Sequence, residues 1–170
     1  MYLLVIYGSS VAYFVVYNKN MAERRMTVRG IVFKDGKLLA QQLTADHHGV
    51  ERDFWCTPGG GLDENEAILD GLKREMVEET GVNPQIGRLL FIQQFFDGEY
   101  EQVELFFNIE NTSDYENIDL SSTSHGIAEI KNVDFINPKE SWILPQFLQD
   151  INIQEYINEG KDVLVVNNLK

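Results

Sequence analysis

A short stretch in the middle of the chain carries three carboxylates at a spacing able to do chemistry. In "REMVEETGV", residues 74–82, Glu75, Glu78 and Glu79 stand at i, i+3 and i+4. A helix at about 100° per residue gathers such positions onto one face, within roughly 100° of one another. Like charges at i,i+4 destabilise a helix by a few tenths of a kcal/mol, so the pattern needs either open water or a cation. On a helical wheel Glu79 falls within the apolar arc of Ile68, Leu69, Leu72 and Met76. A carboxylate on the packed side costs several kcal/mol unless it is paired or ligates a metal. Open water therefore fails as an explanation for Glu79.

The residues that must position this face come just before it. Thr57-Pro58 ends a strand, and Gly59, Gly60 and Gly61 allow a tight backbone path that exposes amides and carbonyls. The spacing then predicts a helix from about Glu64 to Thr80, with Gly81 as its left-handed C′ residue. Mg²⁺ prefers oxygen ligands and bridges to substrate phosphates, which suits carboxylates beside exposed glycine carbonyls.

Gly60, five residues, Glu66, seven residues, then Arg74-Glu75-Met76-Val77-Glu78-Glu79-Thr80-Gly81-Val82 resembles the full Nudix box, G-x5-E-x7-R-E-U-x-E-E-x-G-U, with no position missing. The similarity extends over about residues 26–160. Asn65 stands where many members have Gly, and Gly71-Leu72 where paired alanines are common; Asn tolerates the left-handed conformation Gly would supply. "LLAQQ" has Gln41 and Gln42 where many relatives carry an arginine.

The resemblance implies a Nudix hydrolase that cleaves a nucleoside diphosphate linked to a further group, with Mg²⁺ as cofactor and Mn²⁺ as a substitute. It implies Glu75, Glu78 and Glu79 as metal ligands, the Gly60 carbonyl as a fourth, and Arg74 with Glu66 as a pair orienting the glutamates. The general base is a box glutamate or an acid on a later loop: Glu99, Glu101, Glu116 or, first among them, Glu129, where a strand end after a polar segment can project it. Arg52, just upstream of the glycines, is a candidate phosphate contact, and Tyr100 a candidate substrate contact. A nucleoside triphosphate, a nucleotide sugar and a dinucleoside polyphosphate all stay open as substrates. Asp97 occupies the place where a proline accompanies ADP-ribose hydrolases, and the coenzyme A signature is absent. The contrasting reading, a Nudix-fold sensor that binds a nucleotide without cutting it, sits poorly with a box that keeps every glutamate.

Composition narrows the partners. A chain of 170 residues, 44% hydrophobic and 24% charged, suits one globular domain. A net charge of −13 disfavours long nucleic acid, because sequence-independent affinity for a phosphate backbone comes from clustered Lys and Arg. A small phosphorylated ligand remains compatible when a bound metal supplies the positive charge. The resemblance leaves room for a homodimer. The single cysteine, Cys56, fits a reducing compartment such as the cytoplasm and reads as a buried small hydrophobe. His47, His48 and His125 read as loop residues.

The remaining segments predict an α/β chain, an α/β/α sandwich with a mixed β-sheet, which is also the fold the resemblance implies. Asp35-Gly36 and Asp97-Gly98 mark turns between strands; "GIAEIKNVDFI" predicts a further strand, and "SWILPQFLQDINIQEYINEG" one or two helices interrupted at Pro145. Asn152 and Glu155 have capping-box spacing. Residues 1–20 form an apolar extension before a single domain at 21–170, with "MAERRMTVRG" a plausible domain start at Met21. "YLLVIYGSSVAYFVVY" falls short of the roughly 20 apolar residues of a spanning helix and breaks at Gly-Ser-Ser, so a β-hairpin is preferred to a membrane anchor. "KDVLVVNNLK" is expected to add a strand beside that hairpin.

Overall fold

The computed structural model describes residues 2–8, 11–17, 23–44, 53–158 and 160–169. Met21, His47, His48 and Arg52 lie outside these residues. Strands β1 (Tyr2–Gly8) and β2 (Val11–Tyr17) pair antiparallel in a two-stranded sheet of their own. No helix among the described residues is long and apolar enough to cross a membrane.

The chain then runs through β3 (Arg24–Ile31), β4 (Phe33–Lys34) and β5 (Lys37–Leu43). Between β4 and β5, Asp35 and Gly36 take φ of 50° and 78°. Two successive positive φ values are what a type I′ hairpin turn requires, and Asp-Gly supplies them at low cost. Next come β6 (Trp55–Cys56), the glycine strand β7 (Gly59–Gly61), the long helix α1 (Ile68–Thr80), and the hairpin of β8 (Ile86–Phe96) and β9 (Glu101–Ile109). Two short 3-10 turns at 112–115 and 120–122 lead to α2 (Gly126–Glu129), β10 (Ile130–Ile136), β11 (Ile143–Leu144), α3 (Phe147–Asp150), α4 (Ile153–Asn158) and β12 (Leu164–Asn168).

One sheet has the order β12-β8-β9-β3-β7 and is mixed: β12 with β8 and β9 with β3 are parallel, while β8 with β9 and β3 with β7 are antiparallel. The second has the order β10-β5-β6-β11, with β4 also on β5. Alternation along the strands sends successive side chains to opposite faces. Leu39, Val28, Leu105, Phe107 and Ile109 pack with Leu72 and Met76 of α1, whereas Leu38, Ala40, Ile31, Phe91 and Phe106 pack with Leu148 and Ile153 of α3 and α4. Sheets therefore lie between α1 and the C-terminal helices, the α/β/α arrangement expected.

Four local expectations are corrected. Helix α1 starts at Ile68 and not near Glu64, because Asn65 sits at φ 63° and Ala67 is extended, so neither can belong to a right-handed helix. Residues 126–129 form a helical turn ahead of β10. The C-terminal segment opens with β11 instead of a helix, and extended Ile151 separates α3 from α4. At the start of α4 the Asn152 side-chain amide donates to Glu155 Oε1 at 2.9 Å, and the Glu155 amide donates to the Asn152 carbonyl at 3.1 Å. Finally, β12 pairs with β8 in the main sheet rather than with the N-terminal hairpin.

Candidate functional site

Helix α1 carries a narrow buried stripe. Leu72 and Met76 are fully buried, Glu79 continues the stripe one turn on at 7% exposure, and Ile68 and Leu69, expected in the packed arc, are exposed. Gly81, at φ 73°, closes the helix by donating its amide to Val77 O. The prediction from the wheel holds where it matters: Glu79 points inward.

Its carboxylate is gripped at both oxygens. The Gly59 amide donates to Glu79 Oε2 at 2.7 Å and Gln41 Nε2 donates to Oε1 at 2.6 Å. Burial pushes the Glu79 carboxyl up to about 7, against the stabilising influence of the Gly59 amide, Arg29 and Gln41. Gln41 is fully buried, and its own Oε1 has no hydrogen-bond partner among the described residues. The sequence singled out Gln41 as a lost arginine; the structure gives it a direct hold on Glu79.

Arg74 organises the remaining carboxylates. Its Nε and Nη2 donate to the two oxygens of Glu66 at 2.8 and 2.9 Å, Nη1 donates to Glu75 at 2.7 Å and Glu78 at 3.0 Å, and Nη2 also reaches the Gly61 carbonyl at 3.0 Å. This is the planar fork of a guanidinium used at every edge, which a lysine cannot imitate. Arg74 and the Asp63 amide hold the Glu66 carboxyl down at about 2. Burial raises Glu75 above the ordinary carboxylate range although Arg74 opposes it. Gly60 has no side chain because a Cβ there would stand on the Glu75 carboxylate, and at Gly71 a Cβ would collide with Leu62 and Glu66. Gly71, a departure from the alanine pair common in the resemblance, is thus matched to its neighbours.

The donor set suits a hard divalent cation: three glutamates and the carbonyls of a glycine strand, all oxygen. Among the described residues no three His, Cys, Asp or Glu side chains converge as a ready ligand cage. Arg74 draws Glu75 and Glu78 to itself, while Glu79 is turned to the strap. A cation shared by all three would require these side chains to re-aim.

Other candidate residues fall at different distances from this cluster. The His125 amide donates to the Glu78 carbonyl at 3.2 Å and its Nδ1 lies 3.7 Å from Glu78 Oε2, so the residue read as a plain loop histidine rests on the end of α1. Nothing in the local sequence signals this. Glu129 is exposed one helical turn later, its amide donating to His125 O at 2.9 Å, while its carbonyl accepts from the Thr44 amide. Tyr100 lies in the β8–β9 turn with the Arg25 guanidinium 5.1 Å above its ring. Gln42 binds the Asp53 carbonyl and Asn132, away from Glu79. Arg52 stands outside the described residues.

An acidic helix face fixed by an arginine fork and set against a glycine strap, on an α/β/α sandwich, defines a class of proteins by fold and site together. Residues 23–153 match the NUDIX domain family, and the chain belongs to it. It is 32% identical over 88 residues to Nudix hydrolase 2 of Arabidopsis thaliana, covering 51% of this chain and 31% of that protein. It is 31% identical over 80 residues to the 8-oxo-dGTP diphosphatase of Buchnera aphidicola subsp. Schizaphis graminum, covering 47% of this chain and 58% of that protein. The chain thus spans between about a third and three fifths of these relatives' lengths. In fold it resembles the E. coli ORF135 protein solved in solution, with a TM-score of 0.63 at 16% identity, over 83% of this chain and 96% of that one.

Proposed function

We propose that this chain is a Mg²⁺-dependent pyrophosphohydrolase that cleaves the diphosphate linkage of a nucleoside diphosphate joined to another group. The observation that carries the reading is the set of three glutamates on one helix against a strand of three glycines, Glu75 and Glu78 held by Arg74 and Glu79 by the Gly59 amide and Gln41. Glu75, Glu78, Glu79 and the Gly60 carbonyl would hold the cation, with Mn²⁺ as a substitute. When bound, it neutralises diphosphate charge and lowers the pKa of water.

The chain's own residues do the rest. Arg74 gathers Glu75 and Glu78 on one nitrogen and balances their charge, and Glu66 fixes the Arg74 fork in one orientation. Glu129 is the candidate general base: exposed, on the segment anchored to α1 through His125, and free to accept a proton at its carboxylate. Its replacement by Gln should lower kcat by roughly 10²–10⁴-fold, the usual worth of a positioned base. Its response to Mg²⁺ binding should not change. Of the substrate classes, a nucleoside triphosphate comes first, supported by the likeness to a protein named for 8-oxo-dGTP. Arg52 is a proposed phosphate contact and Tyr100 a proposed substrate contact. The lone, buried Cys56 fits work in a reducing compartment such as the cytoplasm.

The test is a panel of nucleoside triphosphates, nucleotide sugars and dinucleoside polyphosphates, with product release followed at several Mg²⁺ concentrations. Turnover that requires Mg²⁺ on at least one class supports the reading. Tight nucleotide binding without turnover on any of them would replace the enzyme with a sensor.

A further inference from the structure

Arg29 stands between Val28 and Gly30 in the buried half of β3, and the structure ties it to the backbone that faces Glu79. Its Nη1 donates to the Gly59 carbonyl at 2.7 Å and to the Thr57 carbonyl at 3.2 Å. Between them, the Pro58 carbonyl accepts from the Gly30 amide at 2.9 Å. Three successive carbonyls of the strap are thus bound by two neighbouring residues of β3. The guanidinium is in turn held by Glu104 of β9, 3.4 Å from both Nε and Nη2, and Glu104 is only 8% exposed. Burial works against the Arg29 charge, and Glu104, Cys56 and Glu79 together more than offset it. On the amide side of the same residue, the Gly59 N–H holds Glu79. Glu104, Arg29, the 57–59 strap and Glu79 therefore form one continuous chain of hydrogen bonds from the strand interior to the helix.

We propose that Arg29 is a positioning residue for cation binding: oriented by Glu104, it fixes the strap against which Glu79, through the Gly59 amide, and Glu75, beside Gly60, would present their carboxylates to a cation. This rests on the reading of Glu79 as a metal ligand. A residue that orients ligands without touching the ion typically changes metal affinity by roughly 10–100-fold when it is removed. Arg29→Met keeps the length of the side chain and deletes every donor. Arg29→Lys restores the charge but cannot reach two carbonyls and a carboxylate in one plane.

The full chain is titrated with Mn²⁺, the free ion being read by its electron paramagnetic resonance signal, and thermal unfolding is recorded with and without Mg²⁺. Arg29→Met should bind Mn²⁺ about 10–100-fold more weakly and lose most of the Mg²⁺-dependent rise in Tm, with Arg29→Lys between it and wild type. Should Arg29→Met fail to fold, Glu104→Gln, which leaves Arg29 in place but less firmly oriented, should shift Mn²⁺ affinity in the same direction by a smaller factor. Unchanged Mn²⁺ affinity in the folded variants, with only a lower metal-free Tm, overturns the proposal and leaves Arg29 structural. Glu79→Gln separates the two layers: if it binds Mn²⁺ as wild type does, the metal reading of Glu79 has failed, and if it binds weakly while Arg29→Met binds normally, only the positioning role has.

Discussion

Glu66 shows how one residue of the cluster links charge to stability. Its carboxyl lies near 2 in the folded chain against an ordinary 4.5, chiefly because Arg74 donates to it. A depressed carboxylate adds stability that is complete above about pH 4.5 and is lost as the pH falls toward 2, since protonation breaks the ion pair. Glu66→Gln should therefore be less stable than wild type at neutral pH, and the gap should close between pH 4.5 and 2. Urea unfolding along a pH series measures it, and a gap independent of pH would show that Glu66 and Arg74 are not coupled. Glu75, Glu78 and Glu79 were legible because helical spacing is local, and Glu66 and Arg74 because the resemblance spans the fourteen positions from 66 to 79. Gln41 and Arg29 were not, because each acts across the fold, Gln41 on a glutamate 38 residues away. A faint signal existed for Arg29, an arginine inside "TVRGIVF" with Glu104 inside "VELFF" to answer it.

Strand β7 is the element on which site geometry depends, and its adjacent glycines serve different ends. Gly59 has φ 130°, and a Cβ there would be driven into the Val28 carbonyl, which is backbone and cannot yield. Gly59→Ala should lower stability by roughly 1–3 kcal/mol or more, the cost of a strained backbone position. At Gly60 the obstacle is the end of the Glu75 side chain, which can swing aside. Gly60→Ala should thus stay close to wild-type Tm while losing turnover, since Glu75 is displaced. Denaturation and kinetics on the two variants give the contrast, and similar stability losses in both would show that the strap reacts as one rigid piece. Elements with strong local codes were legible: the Asp35-Gly36 turn, the β8–β9 hairpin and the Gly81 cap all follow from residues that supply a positive φ. Element boundaries and partners were less so. The start of α1 turned on Asn65, and the pairing of β12 with β8 turned on which sheet edge was open, which no stretch of sequence states.

At the scale of the whole molecule, β1 and β2 pair with each other and, among the described residues, with no strand of the two larger sheets. A chain starting at Met21 should then stay folded and active; insolubility after truncation would show instead that residues 1–20 cover an apolar face of the core. The larger question is how a chain of net charge −13 tolerates three glutamates on one helix face. In the metal-free protein Arg74 is the shared counter-charge of Glu75 and Glu78, with Glu78 3.0 Å from it, while Glu79 is held by the Gly59 amide and Gln41. Glu78→Gln removes that partly exposed pair, worth about 0–1 kcal/mol, and also relieves the repulsion from Glu75 one turn back. These changes oppose each other, so the metal-free variant should be as stable as wild type or slightly more so. Mg²⁺ should stabilise wild type by mass action, about 2.7 kcal/mol at a hundred times its dissociation constant, and stabilise the variant much less at the same concentration. Turnover should fall by orders of magnitude, because one negative ligand no longer helps hold the ion against the diphosphate charge that develops in the transition state. Calorimetric unfolding with and without Mg²⁺, beside kcat on the best substrate, tests both halves. A variant with near-normal turnover, or one inactive only because it has unfolded, would remove Glu78 from the metal ligands and leave α1 a merely acidic helix.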